Sequence, residues 1–451
     1  MEQQRHANYG LGMTVIGSIF FIFGFATTFI ITLSGQVKDI FELTEFRAQL
    51  LSFSFFITYF FISIPIGLYI KKIGYKSALI VGLLLMATGS FLFFPAAKAP
   101  SFPLFLAATF VLASGVVFLQ TAANPYVTAL GSEESAGGRL NLVQALNSIA
   151  TMVAPWIISV FIFRGASEML TSMQKAQTVQ MPFIIIGIIV VLVAIAIFLT
   201  KLPEVGGGAV ELKKSVWKHP HVLLGALGIF FYVGAEVGTG GLILNYLKTS
   251  SLALTPQEAG KYVAIYWGGA MVGRFFGSIM LSNITDNVKK YTYVALVLLL
   301  ALVSGSFVTG WTWNIGLIFM FVAVGNFILM QLGQGNAGRS LAVFALVAAT
   351  LALVTAFTSG SVALWAVISI GMFNSIMFPN IFTLAVKYLD PGELSTASGI
   401  INTLIFGGAI IPLIMGKIAD VSGYSWAFIV PAVCYLYIFF YAVKGSKFRS
   451  A

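Results

Sequence analysis

The 451-residue chain carries 15 Asp or Glu and 25 Lys or Arg. Its acids fall in the N-terminal tail, in loops or at the ends of apolar runs, with one exception. Glu236 lies ~16 residues, roughly 24 Å, along an apolar helix. A carboxylate there is costly unless it is paired, protonated or facing water. Such a group suits proton uptake and release, hydrogen bonding to a hydroxyl-rich solute, or sodium ligation. A structural acid satisfied by its helix neighbours is the plain alternative. Arg274 is the other charge well inside a run. Helical register sets it roughly 12 Å from Glu236 along the membrane normal, so a direct pair would need sharp tilting. It reads as a side chain that snorkels to headgroups or braces a gate.

Six amides, Gln120, Asn124, Gln144, Asn147, Asn374 and Asn402, also sit in apolar runs. Sugar hydroxyls both donate and accept, and an amide matches both without net charge. Gln120 and Asn124 share a helix face at i, i+4; Asn141, Gln144 and Asn147 share one at spacing three. Amides at such positions also serve as glue between membrane helices. Of seven tryptophans, Trp267 alone is deep in a run; its ring is either a platform for the C–H face of a sugar or core packing. The lone Cys434 permits no intrachain disulfide, and His6, His219 and His221 lie near run ends, so no metal cluster is expected. Gly333-Gln-Gly-Asn-Ala-Gly338 matches G-x-G-x-x-G, but it joins two apolar runs rather than a strand and a helix. No cofactor and no ATPase motif is expected.

The elements that position these residues follow from composition. Hydrophobic residues make up 59% and charged residues 9% of the chain, with a mean hydropathy of +0.96. Soluble domains carry roughly 25% charge. A soluble enzyme, a disordered chain and a secreted disulfide scaffold are excluded, which leaves a polytopic membrane protein. Runs of about 20 residues without alternation are helices rather than barrel strands. We place fourteen transmembrane helices at 11–36, 47–70, 77–95, 102–130, 139–163, 180–201, 220–247, 258–282, 291–309, 313–332, 340–358, 361–389, 395–415 and 424–444. The first run is too long for a signal-peptide core. Residues 1–202 then form a six-helix bundle, 203–219 a charged cytoplasmic linker, and 220–451 a second bundle. With both termini inside, the cytoplasmic loops hold roughly twice the Lys and Arg of the outer loops. The net charge of +10 thus reads as membrane orientation and not as nucleic-acid binding.

The loop 67–76, Gly-Leu-Tyr-Ile-Lys71-Lys72-Ile-Gly74-Tyr-Lys76, resembles the G-x-x-x-[DK]-R-x-G-[RK]-[RK] loop of the major facilitator superfamily, with Lys72 in place of arginine. Leu119-Gln120-Thr-Ala-Ala-Asn124-Pro125-Tyr126, followed by Arg139-Leu-Asn141-Leu-Val-Gln144-Ala-Leu-Asn147-Ser148, resembles its fucose:proton symporter family. Tyr232-Val-Gly-Ala-Glu236 is similar to the glucose/galactose branch, and Phe373-Asn374-Ser-Ile-Met-Phe378-Pro379 and Gly407-Gly-Ala-Ile-Ile-Pro412 also agree. The resemblance implies two bundles rocking about a central sugar site, an inner-membrane location, a monomer, and coupling to protons or sodium. It assigns Lys71, Lys72, Gly74, Lys76 and Arg139 to gating loops. It also puts Phe378 where the family holds a tyrosine near the substrate.

Three departures stand out. Ile31 and Gln120 occupy positions where fucose members carry carboxylates. About fifty extra residues, 283–333, contain two apolar runs, which we read as an inserted helix pair facing lipid. With two family carboxylates missing, a uniporter, a sugar or drug exporter and a non-transporting sugar sensor stay open beside symport.

Overall fold

The computed structural model describes residues 2–130, 136–162, 171–200, 202, 214–281, 284, 286–334 and 336–447. The described residues are overwhelmingly helical and contain no strand. The expected linker therefore lies mostly outside the described residues, as do the side chain of Lys71 and Gly335 of the glycine motif.

Among the described residues, thirteen helices are long and apolar enough to cross a membrane. They are α1 (Tyr9–Phe41), α2 (Glu45–Ile70), α3 (Lys72–Lys98), α4 (Phe102–Val127), α5 (Leu142–Ile162), α6 (Met173–Leu199) and α7 (Pro220–Thr249), then α9 (Asn287–Val308), α10 (Trp313–Leu332), α11 (Ala337–Phe357), α12 (Gly360–Ala385), α13 (Thr396–Ser422) and α14 (Tyr424–Lys447). Between them α8 (Pro256–Leu281) has 26 residues, enough to span at 1.5 Å per residue. It is less apolar because it carries Arg274 and several glycines, and it packs inside, against α5, α7, α9 and α12.

The helices begin and end where polar residues can serve their free backbone groups, which hydropathy alone does not show. A capping box of Thr171 and Gln174 starts α6 well before residue 180. Asp286 caps α9, and Asn336 caps α11. The first helix runs past the expected residue 36 to Phe41, which draws Lys38 and Asp39 into helix. Just inside the start of α3 the backbone turns without a loop at Gly74 (φ +77°, ψ 164°), a conformation that glycine accepts at no steric cost.

Helices α1 to α6 pack on one another, with α3 against α4 and α6 and α1 against α5. In the rest of the chain α7 packs on α13 and α14, α8 on α12, and α11 on α12 and α14. The two sets meet along α1–α7, α2–α13 and α5–α8. We call the end holding the α6–α7 connection the linker end and the opposite one the far end.

Among the described helices, single turn residues, Gln49 and Phe428, interrupt α2 and α14, and larger breaks in regular hydrogen bonding occur in α5, α12 and α13. A π turn spans Ile158–Ile162 in α5. Helix α12 stops at Asn374 and resumes at Met377. A 3-10 turn spans Leu404–Phe406 in α13. Irregular backbone at membrane depth is tolerated only where protein or water covers it, and it marks transport pathways.

The extra residues form the antiparallel pair α9–α10 on the outside of α8. Much of its surface is exposed and apolar, including Leu296, Leu299, Phe321 and Ile328. It is nonetheless tied inward. The Asn326 amide donates to the Met372 carbonyl (3.3 Å), and Phe307 meets the Trp156 ring of α5 at 5.1 Å.

Candidate functional site

Helix α7 carries Glu236 at mid-span and is unusually rich in glycine, so its neighbours come close. A Cβ at Gly240 would lie 2.8 Å from Cζ2 of Trp267, so the indole seats directly on the α7 backbone one turn beyond Glu236. The Trp267 side chain is buried, and its Nε1 has no hydrogen-bond partner among the described residues. Tyr232, one turn before Glu236, donates its hydroxyl to Glu236 Oε1 (2.8 Å). The Phe378 ring lies 6.3 Å from that of Tyr232.

Behind the carboxylate runs a chain of buried hydroxyls. Tyr266 donates to the Glu236 backbone carbonyl (2.9 Å), Asn374 Nδ2 donates to the Tyr266 oxygen (3.1 Å), and Tyr435 donates to Asn374 Oδ1 (2.8 Å). Both amide atoms of Asn374 are thus engaged, and the residue is fully enclosed. It supports the α7–α8–α14 wall beside the break in α12 and presents nothing to a cavity. The lining role expected of it from sequence does not fit this placement.

From the other set of helices, Gln120 Oε1 accepts from Tyr59 (2.7 Å), and Asn124, one turn on, has a buried Oδ1 without a partner. Asn147 Nδ2 donates to the Phe20 carbonyl (2.9 Å), where Gly24 leaves room for it. That amide pins α5 to α1, so the glue reading describes its contacts. Gln144 and Asn402 are part-buried. Arg274 Nη1 donates to Ser148 Oγ (2.8 Å), one turn from Gln144. The guanidinium therefore turns inward to α5 and does not snorkel. Among the described residues it forms no ion pair with Glu236. Unpaired buried polar atoms cost about 1–3 kcal/mol each. Asn124 Oδ1 and Trp267 Nε1 are among the buried polar atoms left without a partner within the described residues.

The loop residues behave as helix-end caps. Lys76 Nζ donates to the carbonyls of Phe198 (2.9 Å) and Thr200 (2.8 Å), closing the C-terminus of α6. Arg139 is buried, and its Nε donates to the Val127 carbonyl at the end of α4 (2.9 Å). Lys72 is exposed.

Sequence reading missed the tyrosines. Tyr232 was within reach, since i, i+4 spacing puts it on the face of Glu236; Tyr266 and Tyr435 come from other helices. It also missed a second buried acid. Glu45, at the far end, is wholly enclosed. It accepts from Asn245 of α7 (3.0 Å) and Tyr424 of α14 (2.7 Å), and pairs with Lys38 (3.2 Å). Beside it Lys248 pairs with Asp39 (2.5 Å). These bonds join the two sets of helices and shut the far end.

Residues 15–341 match the model of the Major Facilitator Superfamily. The chain belongs to that superfamily. Its fold is that of a superfamily transporter, not of an enzyme. A glucose/galactose transporter of Brucella abortus is 40% identical, over 99% of this chain and 97% of its own length. An L-fucose-proton symporter of Escherichia coli is 30% identical, over 98% and 94%. Among solved superfamily structures, FucP in the outward conformation is 29% identical and covers 98% of this chain and 100% of its own, with a TM-score of 0.66.

Proposed function

We propose that this protein takes up a hexose of the glucose or galactose type across the inner membrane, driven by protons. The observation that carries the reading is the mid-membrane carboxylate Glu236, clamped by Tyr232 and flanked by Trp267. The superfamily relatives named for glucose, galactose and fucose support a sugar as the solute. In this reading Glu236 serves sugar hydroxyls and the proton in turn. Gln120, Asn124, Gln144, Phe378 and Asn402 complete the cavity, and Asn147, Asn374 and Arg274 hold its walls. Residues 1–202 and 220–451 are the two rocking bundles, with 203–219 between them.

In this reading the linker end, which holds more of the basic residues, lies in the cytoplasm. The far end, bonded across the bundles by Glu45 and Asp39, would then face outward and be closed in this conformation. A uniporter is the second reading, favoured by Ile31 and Gln120 at positions where the family carries carboxylates.

Proteoliposome uptake of glucose, galactose, fucose and N-acetylglucosamine under separate pH and sodium gradients tests this. Accumulation of one hexose under a pH gradient is expected. No uptake of any of them sinks the hexose reading. Full gradient-driven accumulation by Glu236→Gln removes the coupling role, and downhill flux without accumulation in the unaltered protein selects the uniporter.

A further inference from the structure

Glu45 opens the first turn of α2, at the membrane edge, yet it has 0% exposure. Every group that meets its carboxylate is a donor. Gln49 Nε2 (2.9 Å) and Lys38 come from its own set of helices, and Asn245 Nδ2 and the Tyr424 hydroxyl from the other. Lys38 also donates to the Tyr424 oxygen (2.5 Å), which turns the phenol proton onto Glu45. The seal is made by close backbone approach. A Cβ at Gly416 of α13 would lie 3.0 Å from the Glu45 carbonyl, and one at Gly241 of α7 would lie 3.1 Å from Gln49 Oε1.

A second feature crosses the same seam. Asp420 of α13 accepts from the backbone N–H groups of Glu45 (2.7 Å) and Phe46 (2.9 Å), so one set of helices caps the α2 N-terminus of the other. The other charges near the seam are the Asp39–Lys248 pair and the exposed Glu42, Arg47 and Lys417.

We propose that Glu45 is a proton-sensitive bolt on the far-end gate: ionised it locks the two bundles together, and protonated it lets them part. The chemistry is competition for lone pairs. An ionised carboxylate can accept all four donors at once. Lys38, Asn245 and Tyr424 all meet Oε2 and Gln49 meets Oε1, so a proton on the carboxylate removes the charge that Lys38 pairs with and adds a donor to a ring of donors. Because the closed gate excludes water, the proton enters only as the bundles separate. Acid therefore stabilises the open arrangement by linkage. The inference needs the bundles to rock, as proposed above, but not any particular solute.

The test uses purified full-length protein in nanodiscs with Cys434→Ala and a single reporter, Ser34→Cys. Ser34 has 0% exposure and sits on the α1–α7 seam opposite Gly241. Maleimide labelling is normalised at each pH to Val362→Cys, at an exposed position. Reporter labelling is expected to rise about threefold from pH 7.5 to pH 4.0, with the rise confined to the acid range in which a solvated glutamate side chain takes up its proton. Adding Glu45→Gln should raise it at pH 7.5 and flatten the pH response. Tyr424→Phe, which spares the carboxylate, should raise it in part and keep the response. Asp420→Asn and Asp39→Asn should loosen the gate and also keep the response. Labelling independent of pH in the unaltered background, or an undiminished response in Glu45→Gln, overturns the proposal. So does transfer of the response to Asp39 or Asp420.

Discussion

A carboxylate in mid-membrane is held by what donates to it, and at Glu236 the described donor is the Tyr232 hydroxyl. Hydrogen bonds to a charged group are worth roughly 1.5–3 kcal/mol. Tyr232→Phe keeps the ring against Phe378 and removes only that bond. It is expected to leave the protein folded and to raise KM for the transported hexose several-fold. It should also shift the pH profile of uptake, which a purely structural tyrosine would not do. Initial rates across an external pH series check both outcomes. Glu236 was legible from sequence because it is isolated in an apolar run, and nothing about its neighbours was needed to find it. Asn374 and Asn147 were legible as costly amides, but not as amides whose bonds are already taken up within the protein. Their partners, Tyr266, Tyr435 and the Phe20 carbonyl, come from other helices, and spacing along one helix says nothing of them. Glu45 was hidden for a related reason. A helix start next to a loop reads as solvated, and its burial depends on contacts from α7, α13 and α14 as well as on its own neighbours Lys38 and Gln49.

At the scale of elements, apolar runs located the helices, and polar caps decided their ends. The Gly74 turn and the interruption after Asn374 are the exceptions that hydropathy passes over, because neither changes composition. One contact at the linker end makes a measurable statement about docking. Glu393, just before α13, is held below the usual carboxylate range by the Ser215 hydroxyl first, then by the Asp390 N–H and the His219 ring, against an opposing effect of burial. His219 Nε2 lies 3.4 Å from its carboxylate. A carboxylate depressed in the folded state contributes stability above its unfolded value and loses it as pH falls through its folded value. The protection factors of the Lys214–Lys218 amides, in the turn leading into α7, taken against the intrinsic exchange rate at each pH, are therefore expected to be high at neutral pH and to fall in acid. Glu393→Gln should show lower protection at neutral pH and little further loss. An equal acid loss of protection in that variant would show that Glu393 does not secure the turn.

At the scale of the whole molecule, the chain and FucP cover one another almost completely, yet the TM-score is 0.66. FucP is in the outward conformation, whereas here the far end is shut by Glu45, Asp39 and Asp420. Alternating access predicts that fixing the seam fixes the state. A Cβ at Gly241 would lie 3.6 Å from Ser34 Oγ, within reach of a disulfide once Gln49 gives slightly. Ser34→Cys with Gly241→Cys, in a background lacking Cys434, is expected to lose most uptake on oxidation and regain it on reduction. Uptake unchanged by a confirmed cross-link would mean that this seam does not open during transport.

The α9–α10 pair bears on the same cycle through the lipid around it. A bundle that tilts in a bilayer must push aside the acyl chains along its perimeter, and the work grows with that perimeter. The pair gives the second bundle eight helices against six. The larger body meets the greater viscous resistance and turns less for a given relative rotation. In the proposed rocking cycle the six-helix bundle is then expected to do most of the swinging, like a rotor against a stator. Trp156 and Phe307, whose rings meet across the two sets of helices, would lie where the moving body slides past the fixed one.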